Sequence, residues 1–213
     1  MRRKLAKYGH PLWNGQLFLL SSLFFINNEV SFRFSPPVEG WPPSKSRDLG
    51  LYIRPNESTT LIHPKLPDMN NETTVDWRGK SYAKLFILIC VHSSTTSFEK
   101  RKQIRQSWAK DQSSLPIKVI FLLGKTMSSE KNEQVQAESQ IFQDILQEDL
   151  VDSYANLTLK SVLMLKFAHK LGQNIRYLMK VDDDSYVNLF RLMTYVTILE
   201  RHKLDKFILG THL

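Results

Sequence analysis

Short apolar runs alternate with amphipathic stretches over the second half of the chain. Leu85–Val91 is continuously apolar over the length of a strand, and Ile117–Leu123 and Ile175–Val181 are predicted to be strands of the same kind. Leu150–Tyr154 and Lys206–Leu209 are predicted to be shorter strands. Strands that are buried on both faces are typical of a sheet covered by helices on both sides.

Helical patterns fill the intervals between these strands. Thr96-Ser97-Phe98-Glu99 has the sequence of a capping box and predicts a helix that continues to about Lys110. Further helices are predicted over Glu130–Leu146, Leu157–Leu171 and Asn188–His202.

This alternation predicts an α/β fold with a mostly parallel sheet. In such a sheet, ligands bind beyond the carboxyl ends of the strands. We therefore expect the functional site in the loops that follow Val91 and Val181.

The first 80 residues lack the alternation and divide into three predicted segments. Residues 1–11 form a basic tail with four cations and no acid. Residues 12–30 enclose the apolar run Leu17–Ile26, which we interpret as a signal anchor with its basic end in the cytosol. A cleaved signal peptide or an amphipathic segment is the alternative. Residues 31–80 hold seven of the nine prolines and predict an extended, largely disordered stalk.

Three N-glycosylation triplets agree with exposure in the secretory lumen. They begin at Asn56, Asn71 and Asn156. The single cysteine, Cys90, lies inside an apolar run and is interpreted as a small buried hydrophobe. We therefore expect no disulfide and no cysteine-based metal site within this chain.

The positive net charge does not indicate a nucleic-acid-binding protein. The chain carries a net charge of +8, but four of those charges lie in the basic tail. The remainder form no basic stripe interleaved with aromatic residues. Anionic small molecules such as nucleotide phosphates suit this excess as well, and we expect no nucleic-acid partner.

Three adjacent aspartates, Asp182, Asp183 and Asp184, follow the predicted strand that ends at Val181. Their carboxylates repel one another, and water screens them poorly at the end of a buried strand. A divalent cation such as Mg²⁺ or Mn²⁺ removes that repulsion and bridges carboxylates to substrate phosphates. In an extended segment Asp182 and Asp184 share one face while Asp183 points away, which is the geometry of an Asp-x-Asp metal and nucleotide clamp. A solvated acidic loop that caps the next helix is the alternative.

Two arginines on the first predicted helix form a second candidate feature. Arg101 and Arg105 are four residues apart and are neighbours on the helix surface, where like charges are destabilising. An anion between them would reverse that effect, and the helix begins beside the expected ligand edge. A solvated basic face is the alternative. His92, Lys160 and Tyr154 belong to the same region, but each is interpreted as structural.

These features occur in the order and spacing of the β-1,3-glycosyltransferases of glycosyltransferase family 31, which the chain resembles from about residue 84 to residue 213. The stretches that carry the resemblance are Arg101–Trp108, Val119–Gly124, Glu138–Ile145, Asp152–Ser161 and Tyr177–Asn188. The resemblance implies a GT-A-like, Rossmann-type nucleotide-binding half, preceded by the anchor and stalk, in a single-pass type II Golgi membrane protein.

The resemblance also implies the chemistry. It implies inverting, Mn²⁺-dependent transfer of galactose or an N-acetylhexosamine from a UDP-sugar to a glycan acceptor on a glycoprotein or glycolipid, through a β-1,3 linkage. Carried over by motif, Asp184 is the direct metal ligand, and Asp182 serves the metal or, with Asp183, faces the donor. Arg101 and Arg105 lie near the nucleotide.

The family's catalytic base lies in an acidic motif of the acceptor-binding half, which we expect beyond the last residue of this chain. Residues 81–213 are therefore expected to be the N-terminal, incomplete part of the GT-A domain. A non-catalytic lumenal binding or chaperone-like relative that keeps the nucleotide half is the alternative function. A phosphoryl-transfer enzyme is disfavoured by the anchor, the glycosylation triplets and the lack of a glycine-rich phosphate loop. Nothing in the sequence indicates an oligomeric state.

Overall fold

The computed structural model describes residues 53–54, 56–67, 73–75, 79, 81–83, 86–172 and 175–202. The predicted basic tail, the predicted anchor and the predicted strand Lys206–Leu209 lie outside these residues. Among the helices that the structure describes, none combines the length and the apolar character needed to span a membrane.

The described residues form seven strands and four α-helices. The strands are β1 (Thr60–Ile62), β2 (Thr73–Val75), β3 (Ser81–Ala83), β4 (Ile87–His92), β5 (Ile117–Lys125), β6 (Ile145–Val151) and β7 (Tyr177–Asp182). The helices are α1 (Phe98–Gln106), α2 (Ser129–Phe142), α3 (Leu157–Leu171) and α4 (Leu189–Arg201). Two 3-10 segments, Trp108–Ser114 and Tyr154–Asn156, precede β5 and α3.

A five-stranded sheet of order β1-β6-β5-β4-β7 forms the centre of the fold. Strands β4 to β7 are parallel, and β1 pairs antiparallel with β6 at one edge. The chain moves from β4 outward to β5 and β6 and then returns to place β7 on the other side of β4. The strand order therefore reverses between β4 and β7, where open α/β sheets bind ligands. The predicted α/β class with a mostly parallel sheet is confirmed and fits a GT-A-like fold.

Alternate strand residues fill two apolar layers, one on each face of the sheet. One layer packs the sheet against α1, α2 and α4 through residues that include Ile89, Phe121, Ile104, Val135 and Val196. The other packs it against α3 through residues that include Cys90, Leu122, Met164 and Phe167. Cys90 is fully buried and burial raises the pKa of its thiol, which confirms its prediction as a core residue.

Part of the predicted stalk is folded onto the sheet. β1 lies within residues 31–80, and Ile62 is buried in the core. Thr60 Oγ1 donates to Glu148 at 2.8 Å, and Arg54 donates to Asp149 at 2.6 Å. The prediction of a disordered stalk is wrong for these residues, because one buried isoleucine and two polar anchors attach them to β6. β2 and β3 pair separately as a two-stranded antiparallel ribbon.

Several predicted boundaries are wrong. The helix predicted over Glu130–Leu146 ends at Phe142, because Gln143 adopts a left-handed conformation with φ of 53°. Ile145 then opens β6, which replaces the strand predicted over Leu150–Tyr154.

The first helix is also shorter than the prediction, which extended it to about Lys110. α1 ends at Gln106. Ser97 is its N-cap residue and makes no side-chain capping bond, so the predicted capping box is not formed. In contrast, α3 has the predicted bounds and ends at Gly172.

Candidate functional site

The parallel register brings the two expected loops together. β4 and β7 pair so that His92 lies opposite Asp182. The chain leaves both strands at the same edge, so Ser93 after β4 and Asp183 after β7 become neighbours. Both loops follow the carboxyl ends of their strands, where the sequence predicted the functional site, and the structure adds that the strand order reverses there.

Two of the three aspartates are paired with cations or hydroxyls of the chain itself. Asp182 Oδ1 lies 2.6 Å from Lys180 Nζ. Asp183 accepts hydrogen bonds from Ser93 Oγ at 3.0 Å and from Lys100 Nζ at 2.7 Å. The carboxylates of Asp182 and Asp183 therefore have different partners.

The chain turns within the aspartate triplet. β7 ends at Asp182, and the Ser185 N–H donates to the Asp182 carbonyl at 3.1 Å. The premise that Asp182 and Asp184 share one face of an extended segment is therefore wrong. Asp184 is exposed, and in the described part of the chain its side chain takes part in no hydrogen bond or ion pair.

Lysine side chains offset the repulsion within the triplet. Lys100 is half-exposed on α1, and the hydrogen bond that it donates to Asp183, followed by the charges of Asp183 and Asp184, raises the pKa of its ammonium group. Lys180 supplies a second positive charge at Asp182. Lysines thus offset two of the three negative charges, which the sequence pattern did not predict.

The donor set fits a metal that is shared with phosphate rather than a closed protein site. Within the residues that the structure describes, no three His, Cys, Asp or Glu side chains converge on one point. Mg²⁺ and chemically similar cations are commonly held by one or two carboxylates together with substrate phosphates and water. Asp184 presents an exposed carboxylate of this kind.

Arg101 and Arg105 lie in a buried ion-pair network. The side chain of Arg101 is 0% exposed and that of Arg105 is 12% exposed. Glu138 on α2 accepts hydrogen bonds from both guanidinium groups at distances between 2.6 and 3.2 Å. Asp144 accepts two more from Arg105, at 2.8 and 2.9 Å. Glu138 is therefore the anion between the two arginines, where the sequence analysis expected a phosphate.

Aromatic rings enclose this network. The Arg105 guanidinium lies 4.7 Å from the ring centroid of Phe121 and 4.0 Å from that of Phe142. Burial by itself lowers the pKa of Arg105, but the hydrogen bonds and charges of Asp144 and Glu138 outweigh it and raise the pKa. Two cations balance two carboxylates, so the geometry favours a structural role for both arginines over the predicted contact with a nucleotide.

The sequence profile of the family described as Galactosyltransferase matches residues 99–213. The chain belongs to the galactosyltransferase family. β-1,3-Galactosyltransferase 1 of Mus musculus and of Homo sapiens are each 37% identical over 110 residues, which is 51% of this chain and 34% of theirs. β-1,3-Galactosyltransferase 5 of Pan paniscus is 33% identical over 129 residues, 59% of this chain and 42% of that protein. The chain therefore matches less than half the length of these relatives, and the predicted family is confirmed.

A second buried ion pair in this galactosyltransferase-family domain holds the loop after β4. Lys160 on α3 donates to the Ser93 carbonyl and to Asp152, each at 2.7 Å. The Thr95 N–H donates to Asp152 at 3.0 Å. Burial lowers the pKa of Lys160, and the charge of Asp152 acts against that effect. The loop that faces Asp183 is thus held by α3 as well as by α1.

Among the described residues of this galactosyltransferase-family domain, neither the side chain of His92 nor that of Tyr154 bonds to the aspartate triplet. His92 is 4% exposed, and neither of its ring nitrogens has a partner among the described residues. Burial, followed by the charges of Lys180 and Lys160, lowers the pKa of His92 to about 2, so the ring stays neutral. Tyr154 is 90% exposed and points into solvent.

Sequence reasoning missed Ser93 and Lys100, because a serine after a strand and a lysine in a basic helix carry no specific signal. It also missed a groove of about 550 Å³ between β7 and α4. Tyr186, Asn188 and Tyr195 are among the residues that line this groove, which begins two residues after Asp184.

Proposed function

We propose that this chain is the donor-binding part of a β-1,3-galactosyltransferase, which transfers galactose from a UDP-sugar to a glycan acceptor with inversion. The observation that carries the proposal is the position of Asp182–Asp184 at the end of β7, where the strand order reverses, inside the segment that matches the family. The names of the relatives support galactose over an N-acetylhexosamine. A lumenal Golgi location with an N-terminal type II anchor is part of the same proposal, and the exposed Asn56 triplet supports it.

In this proposal Asp184 is the direct ligand of a Mn²⁺ ion, and Asp182 is the second. When bound, the ion offsets the negative charge that develops on the departing UDP. Asp184 is exposed and ready to bind, whereas Asp182 must release Lys180 before it can take part.

Lys100 is better placed than the buried arginines to contact the diphosphate. Its side chain is 51% exposed, and it lies in the first turn of α1 beside Asp183. The N–H groups and dipole at a helix N-terminus favour anions, and an ammonium group there adds a direct charge-assisted bond. We therefore assign the diphosphate contact to Lys100 in place of Arg101 and Arg105.

A non-catalytic lumenal binding protein is the second candidate function. The observation that favours it is that Asp182 and Asp183 already pair with Lys180 and Lys100. A protein that had lost metal-dependent chemistry could keep this charge-balanced arrangement without penalty.

Titration calorimetry of the full chain with UDP, with and without Mn²⁺, tests the two candidates. We expect Mn²⁺ to raise the UDP affinity at least about tenfold, and Asp184→Ala to abolish that increase, because a charge-assisted ligand is removed. Glu133→Ala removes an exposed carboxylate from α2 and serves as the matched control. Equal affinities with and without Mn²⁺ in all three proteins contradict the metal site and favour the binding protein.

A further inference from the structure

Ser93 connects the buried arginine network to the aspartate triplet. It is 3% exposed and is the first residue after β4. Arg101 donates to its hydroxyl oxygen at 3.2 Å, and that hydroxyl donates to Asp183 at 3.0 Å. Because a guanidinium group can only donate, the single hydroxyl proton is left for Asp183. The hydrogen bonds therefore run in one fixed direction from Arg101 through Ser93 to Asp183.

The backbone of Ser93 is held as firmly as its side chain. Its N–H donates to the Leu122 carbonyl at 3.1 Å, and its carbonyl accepts from Lys160 at 2.7 Å. β5, α3 and α1 thus each contribute a partner. A hydroxyl with this many constraints has one available orientation.

Both carboxylate oxygens of Asp183 are engaged, and its side chain is 14% exposed. Ser93 binds one oxygen and Lys100 binds the other. The Lys100 side chain is 51% exposed, and exposed ion pairs of this kind hold a geometry weakly. The bond from the buried Ser93 is therefore the one that holds Asp183 in place.

We propose that Ser93 is a positioning residue for the metal and nucleotide site. By holding Asp183 against the loop after β4, it sets the turn that presents Asp184 to solvent. The effect of Ser93 on ligand binding rests on the proposed function, whereas its effect on the turn does not.

Hydrogen exchange of the full chain, without any ligand, measures the effect on the turn. We expect Ser93→Ala to speed exchange of the Ser185 amide, which closes the turn on Asp182, about tenfold, since one hydrogen bond to a charged group is lost. The amides of β4 and β7 should keep their protection. Ser93→Thr, which retains the hydroxyl, should restore the slow exchange. Ser139→Ala, which removes another buried serine hydroxyl that bonds to Gln136 within α2, should leave the turn unchanged.

Calorimetry with UDP and Mn²⁺ then measures the effect on the site. We expect Ser93→Ala to lower the Mn²⁺-dependent increase in UDP affinity about tenfold and to leave metal-free UDP binding unchanged. Ser93→Ala can also speed exchange of the β4 and β7 amides. In that case Asp183→Ala, which removes the acceptor of the same hydrogen bond, should give the same fast exchange of the Ser185 amide.

The assignment is overturned if the Ser185 amide exchanges at the wild-type rate in Ser93→Ala and Asp183→Ala. It is also overturned if Ser93→Ala binds UDP in the presence of Mn²⁺ as tightly as the wild type does. Should the wild-type chain bind no UDP at all, the proposed function fails, while the exchange experiment still decides the role of Ser93.

Discussion

The buried network around Glu138 provides the most stringent test of the structure. Glu138 accepts hydrogen bonds from Arg101 at 2.6, 3.0 and 3.2 Å and from Arg105 at 2.7 Å. The substitution Glu138→Gln keeps the size of the side chain and one acceptor oxygen but removes the charge. Among the described residues, the Asp144 carboxylate, which accepts hydrogen bonds from Arg105 and none from Arg101, is then the negatively charged group that remains in the network.

The expected loss of stability is large because Arg101 is buried and cannot regain water. Its side chain is 0% exposed, and a guanidinium group stays charged in proteins. Removing one partner of a buried ion pair costs about 3–5 kcal/mol, which is a substantial part of the roughly 5–15 kcal/mol that stabilises a typical domain. For a chain of this length that loss lowers the Tm by roughly 6–20 °C.

Thermal and urea denaturation followed by circular dichroism measure this loss. Glu99→Gln is the matched control, because Glu99 and Lys102 form a pair at 3.7 Å with 78% and 57% exposed side chains. Breaking that pair should cost less than about 1 kcal/mol. If Glu138→Gln lowers the free energy of unfolding by as little as Glu99→Gln does, water reaches Arg101 and the description of a buried network is wrong.

Three further predictions concern other parts of the fold. Below pH 6.5 the unfolded chain takes up a proton at His92, whereas the folded ring, with its pKa near 2, does not. The free energy of unfolding therefore decreases as the pH is lowered. When the pH is lowered from 7 to 5, the free energy of unfolding measured with urea should therefore decrease by about 2 kcal/mol more in the wild type than in His92→Leu. An equal decrease in the two proteins contradicts this. Gly124→Ala places a Cβ 2.4 Å from the Leu150 carbonyl oxygen and should cost at least about 1–3 kcal/mol by the same assay; wild-type stability would refute the close approach. Asn156 is 2% exposed and donates to a backbone carbonyl, so glycopeptide mass spectrometry after secretory expression should find a glycan on exposed Asn56 and none on Asn156.

Consecutive residues were enough to predict most of the regular structure. The bounds of α3 and its end at Gly172 follow from an apolar helical pattern and a glycine stop, both of which are local. Strands β4, β5 and β7 follow from apolar runs, because consecutive residues of a strand that is buried on both faces are apolar. The position of Asp182–Asp184 at a strand end was predictable for the same reason.

Partners and burial of the polar residues depended on contacts between distant parts of the chain. Arg101 meets Glu138 across 37 residues, and Thr60 meets Glu148 across 88 residues. No short pattern distinguishes an arginine in solvent from one covered by another helix, because the two differ only in what packs over them. Asn156 likewise has the triplet of an exposed acceptor, yet the packing of α3 against β6 buries it. Local sequence thus defined most of the elements, whereas the packing of those elements determined which charges are paired and which, as at Asp184, face solvent.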